Sequence, residues 1–219
     1  MLADDAASSP PRWAPPPKRV IAAWPLLAGV LILAALWLGP LPAMSRRAFS
    51  PHMILHLGVA VVAAPMIAIG LARVRPGVEL ERPLLLALAA SAVEMIVVWG
   101  WHVPALHEAA ALDDRFFVAQ QGSFLLAGIF LWQVSFSGRS QAACGIGMLA
   151  MLLTFMHMAM LGVLLSLAPQ LLYAPELCLG AFGFDRLDDQ RFGGALMAVG
   201  GGLPYLLGGM LLAYRFISD

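Results

Sequence analysis

Long apolar runs recur along this chain, and they restrict its possible folds more than any other feature of the sequence. Five or more of these runs exceed the roughly 18 apolar residues that a helix needs to cross a bilayer. Hydrophobic residues make up 61% of the 219 positions and charged residues only 12%. In a soluble domain, charged residues approach about a quarter of the total. The sequence therefore predicts an all-α fold, a polytopic transmembrane helix bundle.

Charged and proline-rich breaks divide the chain into a tail and six apolar spans. Residues 1–19 carry two acids and five prolines, a composition that favours a disordered cytoplasmic tail. Residues 20–216 are predicted to form a six-helix transmembrane domain. The predicted spans run from about Val20 to Gly39, Pro51 to Ala72, Pro83 to His102, Phe116 to Phe136, Ala142 to Leu167 and Gly194 to Phe216.

The distribution of lysine and arginine sets the predicted orientation. With the N-terminus inside, eight of the 13 cations lie in inner segments and five in outer loops, which also carry seven acids. This bias favours both termini in the cytoplasm. The apolar composition indicates the lipid bilayer as a partner, and the formal net charge of +0 gives no indication of nucleic acid.

All five histidines fall in the outer half of the bundle in this orientation. His52 and His56 are one helical turn apart at the start of the second span, which places both rings on one face. His102 ends the third span, and His107 follows it in an outer loop. His157 lies about 10 residues before the outer end of the fifth span, roughly 15 Å deep. Because imidazole is costly to place in hydrocarbon, this convergence indicates a metal site.

The residues around His157 favour copper as the metal. Met156 and Met158 flank it, and thioether together with imidazole suits the soft ion Cu(I) better than magnesium or calcium. We therefore expect a Cu(I) site with a primary and a secondary set of ligands. The primary set is His52, His56 and His157, and the secondary set is His102 with Met156 or Met158.

Each of these side chains also has an ordinary structural interpretation. His52 and His56 fit hydrogen bonds to lipid headgroups or loop carbonyl groups, and His157 fits a bond to a neighbouring helix. Methionines often only fill gaps in an apolar core. Glu94, inside the third span, fits either a proton or cation relay toward the histidines or a structural bond between helices.

Several short motifs follow one another between about Pro51 and Tyr214. They are Ser50–His56, Trp101–Leu106, Ser123–Gly128, Met156–Met158, Ala168–Tyr173 and Asp189–Gly194. In order and spacing they resemble the CtaG-like family of cytochrome c oxidase assembly factors, the branch named for caa-type oxidases. The polar positions of that family carry over to His52, His56, His102, His157 and Asp189-Gln190. Gln120-Gln121 stands where many members have Glu-His, so a site that uses this histidine would need Gln121 or an outside ligand.

The resemblance implies a multi-pass protein of the bacterial inner membrane that is not an enzyme and supports maturation of a haem-copper cytochrome c oxidase. It also implies handling of Cu(I) at the periplasmic face, with oxidase subunits or other assembly factors as partners. Family members commonly have seven spans, so six indicate a short version. The alternatives are a structural scaffold or oxidase-associated subunit without metal, a copper or proton transporter, and a membrane metalloenzyme or haem protein.

Overall fold

The computed structural model describes residues 18–74, 83–138 and 140–218, with side chains from Ala23 onward. Its regular secondary structure in these ranges is helical. The α-helices are α1 (Lys18–Leu38), α2 (Leu41–Ser45), α3 (Phe49–Leu57), α4 (Ala64–Val74), α5 (Pro83–Trp101), α6 (Pro104–Leu112), α7 (Asp114–Ser135), α8 (Gln141–Ser166), α9 (Arg186–Leu196) and α10 (Gly202–Ser218). Residues 1–17 of the predicted tail lie outside the described residues, so the tail stays a prediction.

Five helical rods in the described part are long and apolar enough to cross a membrane. They are Phe49–Val74, Pro83–His102, Asp114–Ser135, Gln141–Ser166 and Arg186–Ser218, and a sixth, shorter apolar helix covers Ala23–Leu38. The predicted all-α transmembrane bundle is confirmed, and the helices agree with six predicted spans.

The last rod begins earlier than the sequence predicts. Its expected start was near Gly194, whereas the helix already begins at Arg186. The reason is a cap at Asp185, whose side chain accepts a hydrogen bond of 2.9 Å from the backbone N–H of Asp188. Polar residues that suggested an outer loop therefore form the first turns of α9.

Two of the rods contain a π-helical segment. Gly58–Ala63 joins α3 to α4, and Met197–Gly201 joins α9 to α10. Each segment lies just before a proline, Pro65 or Pro204. A proline within a helix removes one N–H donor, and its ring clashes with the carbonyl group four residues earlier. The wider π turn accommodates that clash while the helix continues through the hydrocarbon region.

Helix α8 packs against α5, α7, α9 and α10, and the α3–α4 rod packs against α7 and α9. Helix α1 packs on the outside of these helices, mainly against α4. Small residues allow the backbones of α8 and of the α9–α10 rod to pack in close contact. A Cβ added at Gly162 would lie 2.3 Å from the nitrogen of Ala198, and one added at Gly194 would lie 2.4 Å from the nitrogen of Ser166. Small residues four apart on both helices permit this contact.

Helices α2 and α6 and the segment 167–185 gather at one end of the bundle, which we call the α6 end. The backbone N–H of Leu179 donates to the carbonyl oxygen of Arg47 at 2.8 Å. The backbone N–H of Ala174 donates to Oε1 of Glu108 at 2.9 Å. These bonds hold the segment against α2 and α6, at the end that the sequence predicts to face outward.

The contact between α8 and α9 predicts the effect of Gly162→Val. The new side chain meets the backbone of α9, and overpacking of this kind costs typically about 1–3 kcal/mol. We expect a lower thermal unfolding midpoint in detergent, measured by circular dichroism. Gly122→Val in α7 is the matched control, because a Cβ there meets nothing within 4 Å. Equal midpoints for the two variants would contradict the close contact.

Candidate metal site at one end of the bundle

Four histidine rings come together at the α6 end. His52 and His56 come from α3, His102 follows α5, and His107 comes from α6. The ring centroids of His52 and His107 are 4.7 Å apart, and the ring of His102 lies 5.6 Å from those of both His52 and His56. All four side chains are buried. We call this group the histidine cluster.

Five ring nitrogens of the histidine cluster are buried and have no hydrogen-bond partner among the described residues. They are Nε2 of His52, Nδ1 and Nε2 of His56, Nε2 of His102 and Nδ1 of His107. A buried polar atom without a partner costs about 1–3 kcal/mol, so several of them in one place call for a ligand. The cluster therefore has the lone pairs that a bound metal ion requires.

The hydrogen bond of His102 determines which of its nitrogens is free. Nδ1 donates to the carbonyl oxygen of Val98, one turn earlier in α5, at 2.6 Å. Because a carbonyl oxygen can only accept, Nδ1 carries the hydrogen and Nε2 keeps its lone pair. Metal-binding histidines commonly make this bond with their second nitrogen, which fixes the tautomer and the ring orientation.

His107 belongs to the cluster, although the sequence placed it only in an outer loop. Val103-Pro104 starts α6, with proline at the first helical turn. The helix then returns the ring of His107 to His52. Burial, together with the nearby His102, lowers the pKa of His107 to about 3, so its imidazole is neutral and can bind a metal. The sequence did contain a signal for this reversal of the chain: Pro104 lies between His102 and His107 and can start a new helix.

Aromatic rings surround the cluster. The ring of Phe124 lies 3.9 Å from that of His56, and the ring of Tyr173 lies 4.3 Å from that of His107. The hydroxyl of Tyr173 donates to the carbonyl oxygen of His102 at 3.1 Å. These contacts exclude water and keep the imidazoles in a dry environment.

A narrow crevice connects the cluster with the surface of the α6 end. It is lined by Ser45, Arg46, His52, His107, Ala110, Ala111, Phe117 and Gln120 and leaves no room for a water molecule. The guanidinium of Arg46 bonds to Oδ1 of Asp114 at 2.7 Å and lies 4.3 Å above the ring of Phe117. Gln120 and Gln121 bond to each other at 3.3 Å and each keep one unpartnered amide atom, so neither replaces a histidine as a strong ligand.

Asp189 of α9 fixes the start of α3 and thereby the two histidines that follow. Its Oδ2 accepts hydrogen bonds from the backbone N–H groups of Phe49 and Ser50 at 2.7 and 3.2 Å, and its Oδ1 accepts one from the Ser50 hydroxyl. A carboxylate at a helix N-terminus also interacts favourably with the helix dipole. The neighbouring Gln190 accepts from the backbone N–H of Leu172 at 2.8 Å and so holds the segment that carries Tyr173.

The structure separates His157 and its two methionines from the histidine cluster. Nε2 of His157 lies 3.8 Å from Oε2 of Glu94, and the ring contacts of the described residues do not join it to the cluster. The side chain of Met156 is 56% exposed on the outside of the bundle, whereas Met158 is buried in the apolar core. Of the six predicted ligands, His52, His56 and His102 come together.

The histidine cluster is not yet arranged around a metal. In residues 18–74, 83–138 and 140–218, no three His, Cys, Asp or Glu side chains already have a geometry that could hold an ion. Two imidazoles bound to one ion at about 2.0–2.1 Å have centroids within about 6 Å of each other. The centroid distances of 4.7 Å (His52 and His107) and 5.6 Å (His102 with His52 and with His56) meet this condition. The centroids of His52 and His56 are 6.5 Å apart, so these two rings would have to move closer before one ion could bind both.

Comparison with known proteins identifies one family. The model of the family described as cytochrome c oxidase caa3 assembly factor (Caa3_CtaG) matches residues 6–219. No curated protein and no solved structure matches the chain. The match covers the histidine cluster and all described helices.

The contacts of Asp189 predict the effect of Asp189→Ala. Removing the carboxylate leaves the buried donors of Phe49 and Ser50 without partners, at about 1–3 kcal/mol for each. We expect faster hydrogen exchange at the backbone amides of α3, measured by mass spectrometry. Asp188→Ala is the matched control, since that neighbouring carboxyl is more than half exposed and, in the described part of the chain, pairs only with Arg191 at 3.6 Å. Equal exchange in both variants would show that α3 does not depend on Asp189.

Proposed function

The chain belongs to the family of cytochrome c oxidase caa3 assembly factors, and we propose that it serves oxidase assembly by holding Cu(I) in the histidine cluster. The proposed ligands are His52, His56, His102 and His107. The observation that carries this proposal is the set of five buried ring nitrogens without a partner. A metal ion bound there would satisfy one nitrogen of each ring, since a neutral imidazole has a single nitrogen lone pair.

The choice of copper rests on the family and on the donor set together. Imidazole binds zinc, copper, iron and nickel, so the cluster alone does not select one of them. A haem-copper oxidase needs copper, which makes Cu(I) the cargo that fits both the family and the ligands. The cargo is released to the oxidase, so the protein acts as a donor and not as an enzyme.

A structural scaffold without metal is less well supported. In a scaffold, buried imidazoles would be used for hydrogen bonds between helices, because an unpartnered polar group in a membrane is costly. Among the described residues of the cluster, His102 alone makes a side-chain hydrogen bond, and its partner is Val98 of the same rod and not a neighbouring helix. The proposed partner is the oxidase itself or another assembly factor at the α6 end.

We place the α6 end at the periplasmic face of the bacterial inner membrane, with both termini in the cytoplasm. This orientation follows the excess of lysine and arginine in the other segments. Copper would then be held where an oxidase that matures from the outer side can receive it.

Paired substitution of the first two histidines tests the copper proposal. We expect detergent-purified protein to bind Cu(I) under reducing conditions, and His52→Ala/His56→Ala to weaken binding at the cluster by about 100-fold or more. Competition with a chromogenic Cu(I) chelator measures the affinity. Gln133→Ala is the control, because that side chain bonds to the carbonyl oxygen of Ala68 and does not line the cluster.

The same variants test the role in oxidase assembly. In a deletion strain grown at low copper, the paired variant should fail to restore oxidase activity and the oxidase spectrum, whereas Gln133→Ala should restore both. Zinc is titrated in parallel. Binding of zinc but not of Cu(I), or full assembly with the paired variant, would overturn the proposal.

Labelling of single cysteines tests the orientation. The two native cysteines are buried, and Glu176 and Ser137 are exposed at opposite ends of the bundle. A membrane-impermeant maleimide should label Glu176→Cys in intact spheroplasts and should label Ser137→Cys only after the membrane is opened. The reverse pattern would place the α6 end in the cytoplasm.

A further inference from the structure

The crevice at the α6 end reaches two rings of the histidine cluster. Its buried lining includes His52 and His107, and its more exposed lining includes Arg46, which follows α2, and Phe117, in the first turn of α7. The crevice leaves no room for a water molecule. An ion that enters or leaves the cluster along it therefore needs some of the lining side chains to move.

The lining side chains differ in their freedom to move. Helix α6 contributes Ala110 and Ala111, whose single methyl groups cannot open a passage by changing rotamer. Gln120 is buried inside the bundle. Arg46 and Phe117 are larger and lie partly at the surface. These two side chains thus determine whether the crevice is closed.

Two contacts hold Arg46 across the mouth of the crevice. Its Nη2 donates a hydrogen bond to Oδ1 of Asp114 at 2.7 Å, and its guanidinium carbon lies 4.3 Å from the centroid of the Phe117 ring. Both partners belong to α7, whereas Arg46 directly follows α2. The arginine therefore bridges two helices above the buried rings.

The same contacts are of a kind that can be released without unfolding the bundle. The Asp114 side chain is 88% exposed, so water and salt screen its ion pair with Arg46. A cation–π contact at a partly exposed site is also a modest interaction. The Arg46 side chain itself is only 25% exposed, which means that it fills the crevice as long as the contacts last.

We propose that Arg46 is the gate of the histidine cluster. Bound to Asp114 and Phe117, it closes the crevice by its bulk, and its positive charge repels a metal cation at the mouth. Released from them, it opens the route by which an ion enters and leaves. This inference rests on the proposed function, which supplies the ion.

A gate has a different effect from a ligand. Arg46 has no lone pair to offer a metal ion, so its position changes the rates of entry and release and leaves the equilibrium affinity unaltered. A protein that hands on its cargo needs such a device, because the ion must stay bound until the receiving protein is in place.

Reaction of the metal-free, detergent-purified protein with diethyl pyrocarbonate tests the gate without copper. This neutral reagent modifies unprotonated imidazole and is larger than water, so it reaches the cluster only when the crevice is open. We expect Arg46→Gln to speed modification of His52 and His107 by about 5- to 10-fold, as expected from losing an exposed ion pair and a cation–π contact. Peptide mass spectrometry measures each rate. Arg191→Gln is the matched control, because Arg191 also pairs with an acid, Asp188, but does not line the crevice.

Salt provides a test on the unmodified protein. Raising the ionic strength should weaken the pair of Arg46 with Asp114 and so speed the modification of His107. In Asp114→Asn the rate should already be higher and should depend little on salt. His157, which faces Glu94 elsewhere in the bundle, is the internal control, and its rate should not follow the salt concentration.

Release of Cu(I) separates this inference from the proposed function. Loaded Arg46→Gln should pass its ion to a chelator faster than the unmodified protein does, at the same equilibrium affinity. If the unmodified protein binds no Cu(I), the copper site is overturned, whereas the diethyl pyrocarbonate rates still decide the gate. Equal rates at His52 and His107 with and without Arg46→Gln would overturn the gate. An equal increase at His157 would overturn it as well, since it would show a general loosening of the bundle.

Discussion

The carboxylate of Asp189 at the start of α3 is the interaction on which the site depends. A helix that begins inside a protein must find partners for its first N–H groups, and α3 finds them in a side chain of α9. These bonds join the Phe49–Val74 rod to the Arg186–Ser218 rod, and they fix the depth of α3 in the membrane and its rotation about its own axis relative to α9. His52 and His56 follow within two turns, so their rings face the cluster because Asp189 sets the start of the helix.

Much of the fold could be predicted from the sequence because the membrane imposes it. A chain in hydrocarbon must form its backbone hydrogen bonds within each span. Apolar runs between charged breaks therefore predict helices directly. His52, His56 and His102 were also found from sequence, since the ends of successive spans alternate between the two faces. The start of the last rod was misplaced because Arg186–Gln190 is polar, although Asp185 is an ordinary capping residue.

The rest of the site depended on features that a count along the chain cannot supply. The position of a residue along a helix gives its depth in the membrane but not the direction in which its side chain points. The rotation of α8 about its axis turns His157 toward Glu94 and Met156 toward the outside of the bundle. His107 reaches the cluster only because α6 reverses direction after Val103-Pro104. Asp189 was recognised as a polar family position, but its role required knowing that α9 lies beside α3.

The π segment at Gly58–Ala63 changes the phase of the second rod. In an unbroken α-helix, residues seven apart share a face. Leu55 and Val62 are seven apart, yet Leu55 is fully buried and Val62 is 44% exposed. The residues before the segment thus face α9 and the imidazoles, while those after it turn toward α1 and α7. A single rod thereby presents two differently rotated surfaces, so one membrane crossing takes part in both the histidine cluster and the packing of the first helix.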